Sequence, residues 1–557
     1  MIRQFVRMLV ISHNLALNAL THYPPNTEAH VWRQIRTIAG RLRCGLVISG
    51  SRIERWAAAT LDLLNATPEI RIEAVYCLDH PGSHDRSPGG VLFRRLQAWS
   101  NLSAAPLERI DLKTPAGTSK EVLRTSSGHV LPEDADAIRN KSLDLLIWLE
   151  SRPLPVDCSA LARHGVWSVC CGDPAMPLST PPYWSEVRDN QPVSAVTIQQ
   201  QLPEATRIVA RGVAATEPGM RFTANAATPL ELAGHLLLRR LTELMGNPRL
   251  TEDCPPSPRP LAQASPGNLS TGVFLARQAC HSVSIRLSAK THRWFIALRD
   301  RNRMSDRDVP RFSAEGFREV PMPAGYNYAD PFLVEDAGRH WLFYEEFSDA
   351  RKGTLACREI RDNSEPGEQM TVLDLPYHLS YPEVFRDRGE YFMLPETCDN
   401  NRVELYRARR FPDEWKLEAV LYPGVTVVDT TVFTLDGTWY FFTSSGYGGT
   451  ESFLFWSDRL DGKWNYHPAN PISSDVRSGR GAGNLFYRGE VLIRPTQDCS
   501  VHYGYGMTWN RVKRLSRSEF EEETLQHIAP TWRRGLIKTH TFNTTSRYDV
   551  IDGAYYK

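Results

Sequence analysis

Apolar residues follow two different patterns along the chain. From Cys44 to about Met245, short apolar runs alternate with stretches of helical spacing. Gly45–Ser49 (GLVIS), Ile72–Cys77 (IEAVYC), Leu143–Leu149 (LDLLIWL) and Val166–Cys170 (VWSVC) read as buried strands. Between the first two, Ile53, Trp56, Ala57, Leu61 and Leu64 recur at helical spacing. Strands alternating with helices predict a parallel α/β sheet. Gln191–Gln201 alternates like an exposed strand, and Arg207–Ala210 is a further short one. Thr228-Pro229-Leu230-Glu231 predicts a helix start, with Thr as cap, Pro at the first helical position and Glu closing a capping box; that helix should reach about Met245.

Residues 246–292 open with a Pro/Ser/Gly-rich stretch of linker composition that leads into the second region. From 293 to 557 helical spacing disappears and short aromatic β runs recur, each folded by a hairpin turn: Glu335–Arg339, Arg386–Gly389, Leu435–Gly437 and Tyr487–Gly489. The anchoring residues Phe332, Phe385, Phe433 and Phe486 lie 53, 48 and 53 residues apart. A period near 50 made of strands alone predicts propeller blades, with two sandwiched sheets as the alternative. A fifth blade must come from His540-Thr-Phe-Asn and Asp549–Tyr556, closed by Trp294–Leu298 from ahead of the first blade, which removes the free sheet edge. The expected architecture is thus an irregular leader (1–43), an α/β domain (44–245), a linker (246–292) and a five-bladed β-propeller (293–557).

Charge narrows the partners. The chain has 557 residues with 65 basic and 64 acidic side chains, a net charge of +1. Nothing in that balance calls for nucleic acid. No apolar run reaches the ~18 residues of a membrane span. Ten cysteines are scattered without zinc spacing, as in a reduced, cytoplasmic protein. There is no phosphate-binding glycine motif, and neither a cofactor nor a metal is expected, although carboxylates in a propeller channel can hold calcium.

In a propeller the innermost strand of each blade lines the channel. Residues two before each anchoring Phe should face it: Asp330, Glu383, Thr431 and Asn484, with Asp429 just ahead of Thr431. His540 opens the fifth blade, Glu396 ends the second strand of blade two, and Arg494 takes the corresponding place in blade four. Converging carboxylates raise one another's pKa and make a proton donor available near neutrality, as glycosidic chemistry requires. Tyr326 and Tyr328 beside Asp330, and Tyr503 in His-Tyr-Gly-Tyr-Gly, are candidates to stack on sugar faces.

The Ala-Asp330-Pro-Phe, Tyr-Pro-Glu383-Val, Leu-Pro-Glu396-Thr and His540-Thr-Phe-Asn motifs resemble the N-terminal propeller domain of glucosamine inositolphosphorylceramide transferases. More distantly they are similar to five-bladed furanosidase-type glycoside hydrolases. That resemblance implies Asp330 as base, Glu383 as the acid that tunes pKa, and Glu396 as proton donor. The hydrolases place the donor on blade three, so Asp429 competes with Glu396. In the plant transferases glycosyl transfer is assigned to a separate domain.

Asp144-Leu-Leu-Ile-Trp, Gly165-Val-Trp-Ser-Val-Cys, Pro182-Tyr-Trp and Val196-Thr-Ile resemble the formyltransferase fold of methionyl-tRNA and sugar N-formyltransferases. Ser168 stands at that family's Asn position, Cys170 at its His position, and Glu204 near its downstream Asp. Formyl transfer needs a His to move the amine proton and an Asn to polarise the carbonyl. The first half therefore reads as a degenerate formyltransferase-like domain. The expected function is glycosyl transfer or hydrolysis at an acidic propeller funnel, on a carbohydrate or nucleotide-sugar ligand. A non-catalytic glycan-binding protein, and a sugar N-formyltransferase with an altered site that would need formyl-tetrahydrofolate, are the alternatives.

Overall fold

The computed structural model describes residues 41–79, 90–101, 105–113, 117–151, 153–174, 181–203, 206–217, 219, 222–252, 254–256, 266–287, 292–304, 309–361, 364–424, 426–445 and 450–556. The leader expected before Cys44 lies almost wholly outside them, as does Glu204.

The apolar runs of the first half form a single seven-stranded sheet. Its strands are β1 (Leu42–Ser49), β2 (Ile70–Leu78), β3 (Ser119–Leu123), β4 (Leu145–Trp148), β5 (Val166–Cys171), β6 (Val193–Gln201) and β7 (Thr206–Ala215). They lie in the order β7-β6-β5-β4-β1-β2-β3. The five from β3 to β5 are parallel, and β6 and β7 follow antiparallel. Helices α1 (Arg55–Asn65) and α2 (Ala227–Gly246) cover one face through Trp56, Leu61, Leu230 and Leu237. The helix Pro132–Asn140 packs on the other through Ala135 and Ile138.

Three local expectations are corrected. The segment around Gln191–Gln201 is not exposed: Val193–Gln201 is buried along nearly its whole length, because β7 and α2 cover it. Helix α2 starts at Ala227 with no side-chain cap, since a 3₁₀ turn at Phe222–Ala226 runs directly into it. The linker region carries a twenty-residue helix, α3 (Asn268–Leu287), whose Phe274 meets Trp184 edge-on at 4.7 Å. Its polar and apolar residues do not form a clean stripe, so sequence periodicity misses it.

The second half is a five-bladed β-propeller. Blades one to three each take four consecutive strands, beginning with Tyr326–Asp336, Ser380–Asp387 and Val427–Leu435. Blade four has an interrupted inner strand, Arg480–Gly481 and Phe486–Arg488. Blade five draws its inner strand (Leu536–Lys538 and Phe542–Thr544) and second strand (Tyr548–Tyr556) from the C-terminal end, and its third, His292–Asp300, from ahead of blade one. Nine register pairs join these last two strands, so the ring is closed by backbone hydrogen bonds rather than by packing alone. The inner hairpins of blades one to three turn at Ala337-Gly338, Arg388-Gly389 and Asp436-Gly437, with both residues at positive φ, as two-residue hairpins that match strand twist require.

The two halves touch where β7 ends. Val213 donates to the Ser474 carbonyl and accepts from Val476, both at 2.9 Å, so the blade three-to-four crossover pairs with the sheet's edge strand. From α2, Arg239 reaches the Pro471 carbonyl (2.6 Å), and His235 Nδ1 lies 3.0 Å from Glu451 Oε2. Inner strands begin, and second strands end, on the propeller face that carries Glu451 and this crossover. The α/β half is therefore docked beside the channel mouth on that face.

Candidate active site

The backbone places the acidic residues by a repeated irregularity. In blades one, two and three the pairing of inner and second strand is broken at the same point: between Ala329 and Phe332, Ser380 and Glu383, and Val428 and Thr431. The residue inside each break is left-handed: Asp330 (φ 48°), Tyr381 (φ 47°) and Asp429 (φ 49°). Such a conformation costs a non-glycine residue about 1–3 kcal/mol and turns its side chain out of the ladder. Here all three turn toward the axis and touch other blades.

This register corrects the alignment on phenylalanines. Pairing resumes at Phe332, Glu383 and Thr431, so Glu383 corresponds to Phe332 rather than to Asp330. Both Glu383 carboxyl oxygens accept from the Val432 amide, at 3.0 and 2.9 Å. The side chain is buried, its pKa is raised well above the usual value chiefly by burial, and it braces blade two to blade three. The residue equivalent to Asp330 in blade two is Tyr381, whose hydroxyl crosses the axis to Thr431 (2.9 Å) and accepts from the Gly483 amide (2.7 Å). Gly483 is at φ 122°, and the Phe542 carbonyl oxygen occupies the space a Cβ would need, so no side chain fits there.

Two acidic groups flank the channel. In the first, Asp330 accepts from Thr541 Oγ1 (2.7 Å) and from the Tyr381 amide (3.3 Å). Asp552 accepts from the His540 and Thr541 amides (2.8 and 3.0 Å) and from His540 Nδ1 (2.5 Å). His540 Nε2 lies 3.8 Å from Asp330. Burial alone would lower the imidazole pKa, but Asp552 and Asp330 outweigh it and hold it at about 9, so the ring is cationic at neutrality. Burial raises Asp330, against the pull of His540. Asp330, His540 and Asp552 each offer one ligand atom within 4.8 Å of the others, a set that could hold a cation only after the imidazole gives up its proton.

In the second group Asp429 is ion-paired with Arg480 Nε and accepts from Gln497 Nε2 (2.9 Å). Glu396 accepts from the Asp429 amide at 3.0 Å and lies 3.8 Å from Arg480 Nη2. Burial pushes Asp429 up to about 7; Arg480 opposes it and Glu396 adds to it. Asp429 therefore exchanges its proton near neutrality.

The remaining expectations divide. Tyr503, 45% exposed, stands at the mouth over Arg480 (4.9 Å) and edge-on to His540 (5.6 Å). Tyr328 is not available to a ligand: it is fully buried, with its hydroxyl on Gln369 (2.7 Å) and Arg358 (3.0 Å). Tyr326 packs on the same blade core. Arg494 is likewise taken up inside blade four, bidentate to Glu522 at 2.8 and 2.7 Å. The pair to Glu396's position there is held by Arg480 and Gln497, which face each other in the ladder. In the α/β half Ser168 and Cys170 are buried in β5, and burial pushes the Cys170 thiol up to about 11.

Sequence reasoning missed Asp552, Glu345, Arg480 and Gln497. Glu345 and Glu396 both pair with the residue just before the left-handed one, Ala329 and Ser380. Counting back from the hairpin turns instead of the phenylalanines would have found that correspondence.

Residues 310–546 match the family model described as glucosamine inositolphosphorylceramide transferase 1, N-terminal. Among curated relatives, glucosamine inositolphosphorylceramide transferase 1 of Oryza sativa subsp. japonica is 34% identical over 215 residues, 36% of this chain and 29% of the relative. That of Arabidopsis thaliana is 30% identical over 248 residues, 42% and 32% respectively. The chain thus spans about a third or less of their length. Among solved structures, a family 117 glycoside hydrolase of Zobellia galactanivorans is similar over 37% of this chain and 71% of its own, with 12% identity and a TM-score of 0.29. An exo-β-1,3-galactanase of Clostridium thermocellum gives 37%, 53%, 14% and 0.30. The matched segment holds Asp330, Glu396, Asp429, Arg480 and His540, and over it this chain is similar to the N-terminal region of the glucosamine inositolphosphorylceramide transferases.

Proposed function

We propose that the propeller channel binds a saccharide and carries out glycosyl transfer or hydrolysis. The observation that carries this reading is Asp429, held against Glu396 and raised to about 7, beside a second, separately held carboxylate, Asp330. Asp429 with Glu396 would protonate the departing glycosidic oxygen. Asp330, fixed by Thr541 and Tyr381, would take the proton of the attacking hydroxyl or stabilise the sugar cation. Arg480 fixes the orientation of Asp429, and Tyr503 offers a ring to an apolar sugar face. The similarity to the glucosamine inositolphosphorylceramide transferases supports a glycan ligand, although it covers only part of those proteins.

The test is incubation of the full chain with nucleotide sugars and oligosaccharides, read by thermal shift and by mass spectrometry of products. Asp429→Asn and Asp330→Asn should reduce turnover ~10²–10⁴-fold with the fold intact. Binding without turnover would leave a glycan-binding module, and no saccharide binding at all would sink the reading.

We further read the α/β half as a formyltransferase-like scaffold without that chemistry. The support is Cys170, a buried, protonated thiol where a histidine would be needed. A thermal shift with a formyl-folate analogue that disappears in Cys170→Ala would overturn this.

A further inference from the structure

Lys538 is 9% exposed, on the inner strand of blade five, two residues before His540. Among the described residues no carboxylate pairs with it. Its ammonium lies over the rings of Trp294 (5.7 Å) and Tyr503 (5.3 Å). An ammonium on a largely buried side chain without a counter-ion is unfavourable, and ring contacts do not replace one. Lys538 in turn depresses His292 and His502, after burial, so this side of the mouth carries a positive field.

A second cation shares the same tyrosine. Arg480 is 3% exposed, and its Nη1 is buried with no hydrogen-bond partner, although Nε and Nη2 face Asp429 and Glu396. Both Lys538 and Arg480 lie within 6 Å of the Tyr503 ring centre. The Cys499 thiol close to them is raised chiefly by burial, stays neutral and supplies no charge. Trp294 closes the far side, stacked on His540 at 4.4 Å.

We propose that Lys538, with the free Nη1 of Arg480, forms a subsite for an anionic substituent, a carboxylate or phosphate, on the saccharide bound at the axis. The inference rests on the glycan reading above. The sugar ring would lie over the acids and along Tyr503, and the charged group would meet the Lys538 ammonium and the unused Nη1 donor of Arg480 on the blade-four and blade-five side. The asymmetry favours this division: the acids Asp330, Asp429, Asp552, Glu345 and Glu396 already have donors, whereas Arg480 Nη1 is buried without an acceptor and, among the described residues, no carboxylate pairs with Lys538.

The test is ligand-observed NMR and calorimetric titration of the full chain with glucose, glucuronate, glucose 6-phosphate and inorganic phosphate. It uses the wild type, Lys538→Met and Lys538→Arg. Methionine keeps the apolar stem and removes a buried charge, so its melting temperature should hold or rise. The wild type should bind an anionic sugar ~10-fold or more tightly than glucose, with glucuronate against the phosphate ester deciding which anion is preferred. That advantage should vanish in Lys538→Met, with glucose affinity unchanged, and partly return in Lys538→Arg. Equal affinity for neutral and anionic sugars, unmoved by Lys538→Met, overturns the subsite and leaves the glycan reading standing. Lys538-dependent binding of phosphate with no sugar binding keeps the anion site and removes the glycan reading. Absence of any binding overturns both.

Discussion

At the carboxyl edge of the α/β sheet, Glu54 takes hydrogen bonds from Trp56 Nε1 (2.6 Å), the Ser151 amide (3.0 Å) and Ser151 Oγ (2.7 Å). Beside it, Glu150 takes the Ser49 amide (2.7 Å) and faces Arg109 at 3.4 Å. At the axis of the propeller, carboxylates from four strands stand close enough to shift one another, one of them to about 7, and Arg480 beside them keeps an unused donor. Both regions bury acids. In the first they are spent on holding loops to strand ends. In the second they are arranged so that their protonation responds near neutral pH, at the cost of left-handed backbone at Asp330, Tyr381 and Asp429. Burial raises Glu150 as well; what sets the axis apart is left-handed backbone together with carboxylates of different blades raising one another, and that combination separates a site from a scaffold.

The strongest way to break this contrast is to remove a proton carrier. Asp429→Asn should lower turnover on a glycan substrate ~10²–10⁴-fold, while its unfolding midpoint moves by only a few degrees. In the wild type the activity should fall as pH rises through about 7, where Asp429 loses its proton. A pH profile flat from 6 to 8 would remove Asp429 from the acid role.

The His540 triad gives a second handle. Its folded pKa is raised from 6.5 to about 9, so its stabilisation is fully present below pH 6.5 and lost as pH rises to 9. The span corresponds to about 3 kcal/mol. Denaturation at pH 6.5 and 9 should show that slope, and His540→Asn should flatten it.

Glu383 should behave in the opposite way to Asp429. Glu383→Ala strands the Val432 amide and should cost ~2 kcal/mol in chemical denaturation, whereas Glu383→Gln keeps an acceptor oxygen and should leave both stability and saccharide binding nearly unchanged. Loss of turnover in Glu383→Gln with normal stability would return it to the chemistry. The smallest effect belongs to the α/β half: Cys170→Ala should cost about 1 kcal/mol and leave glycan activity intact.

Much of the fold was legible in residue order. Alternation of apolar runs gave the α/β sheet, the ~50-residue hairpin repeat gave the blades, and the leftover strands at both ends gave the closure. Helix α3 was not, because its apolar residues are not confined to one face. The site was legible in part: Asp330, Glu396, Asp429, His540 and Tyr503 do converge. Arg494 and Tyr328 look the same in sequence as funnel residues but found partners inside their own blades, in Glu522 and Gln369.

The chain's order of residues determined that there would be five blades and which strands would pair, since those follow from periodicity and turn chemistry within a few neighbouring residues. Tertiary structure alone decided which acids stand together at the axis. A two-residue offset in blade two exchanged Glu383 for Tyr381 at the axis, and side chains distant in sequence, such as Asp330 with Thr541 and Asp429 with Arg480, became neighbours only when the ring closed. Electrostatic coupling depends on distances of a few ångströms across blades, and local pattern carries no information about those distances.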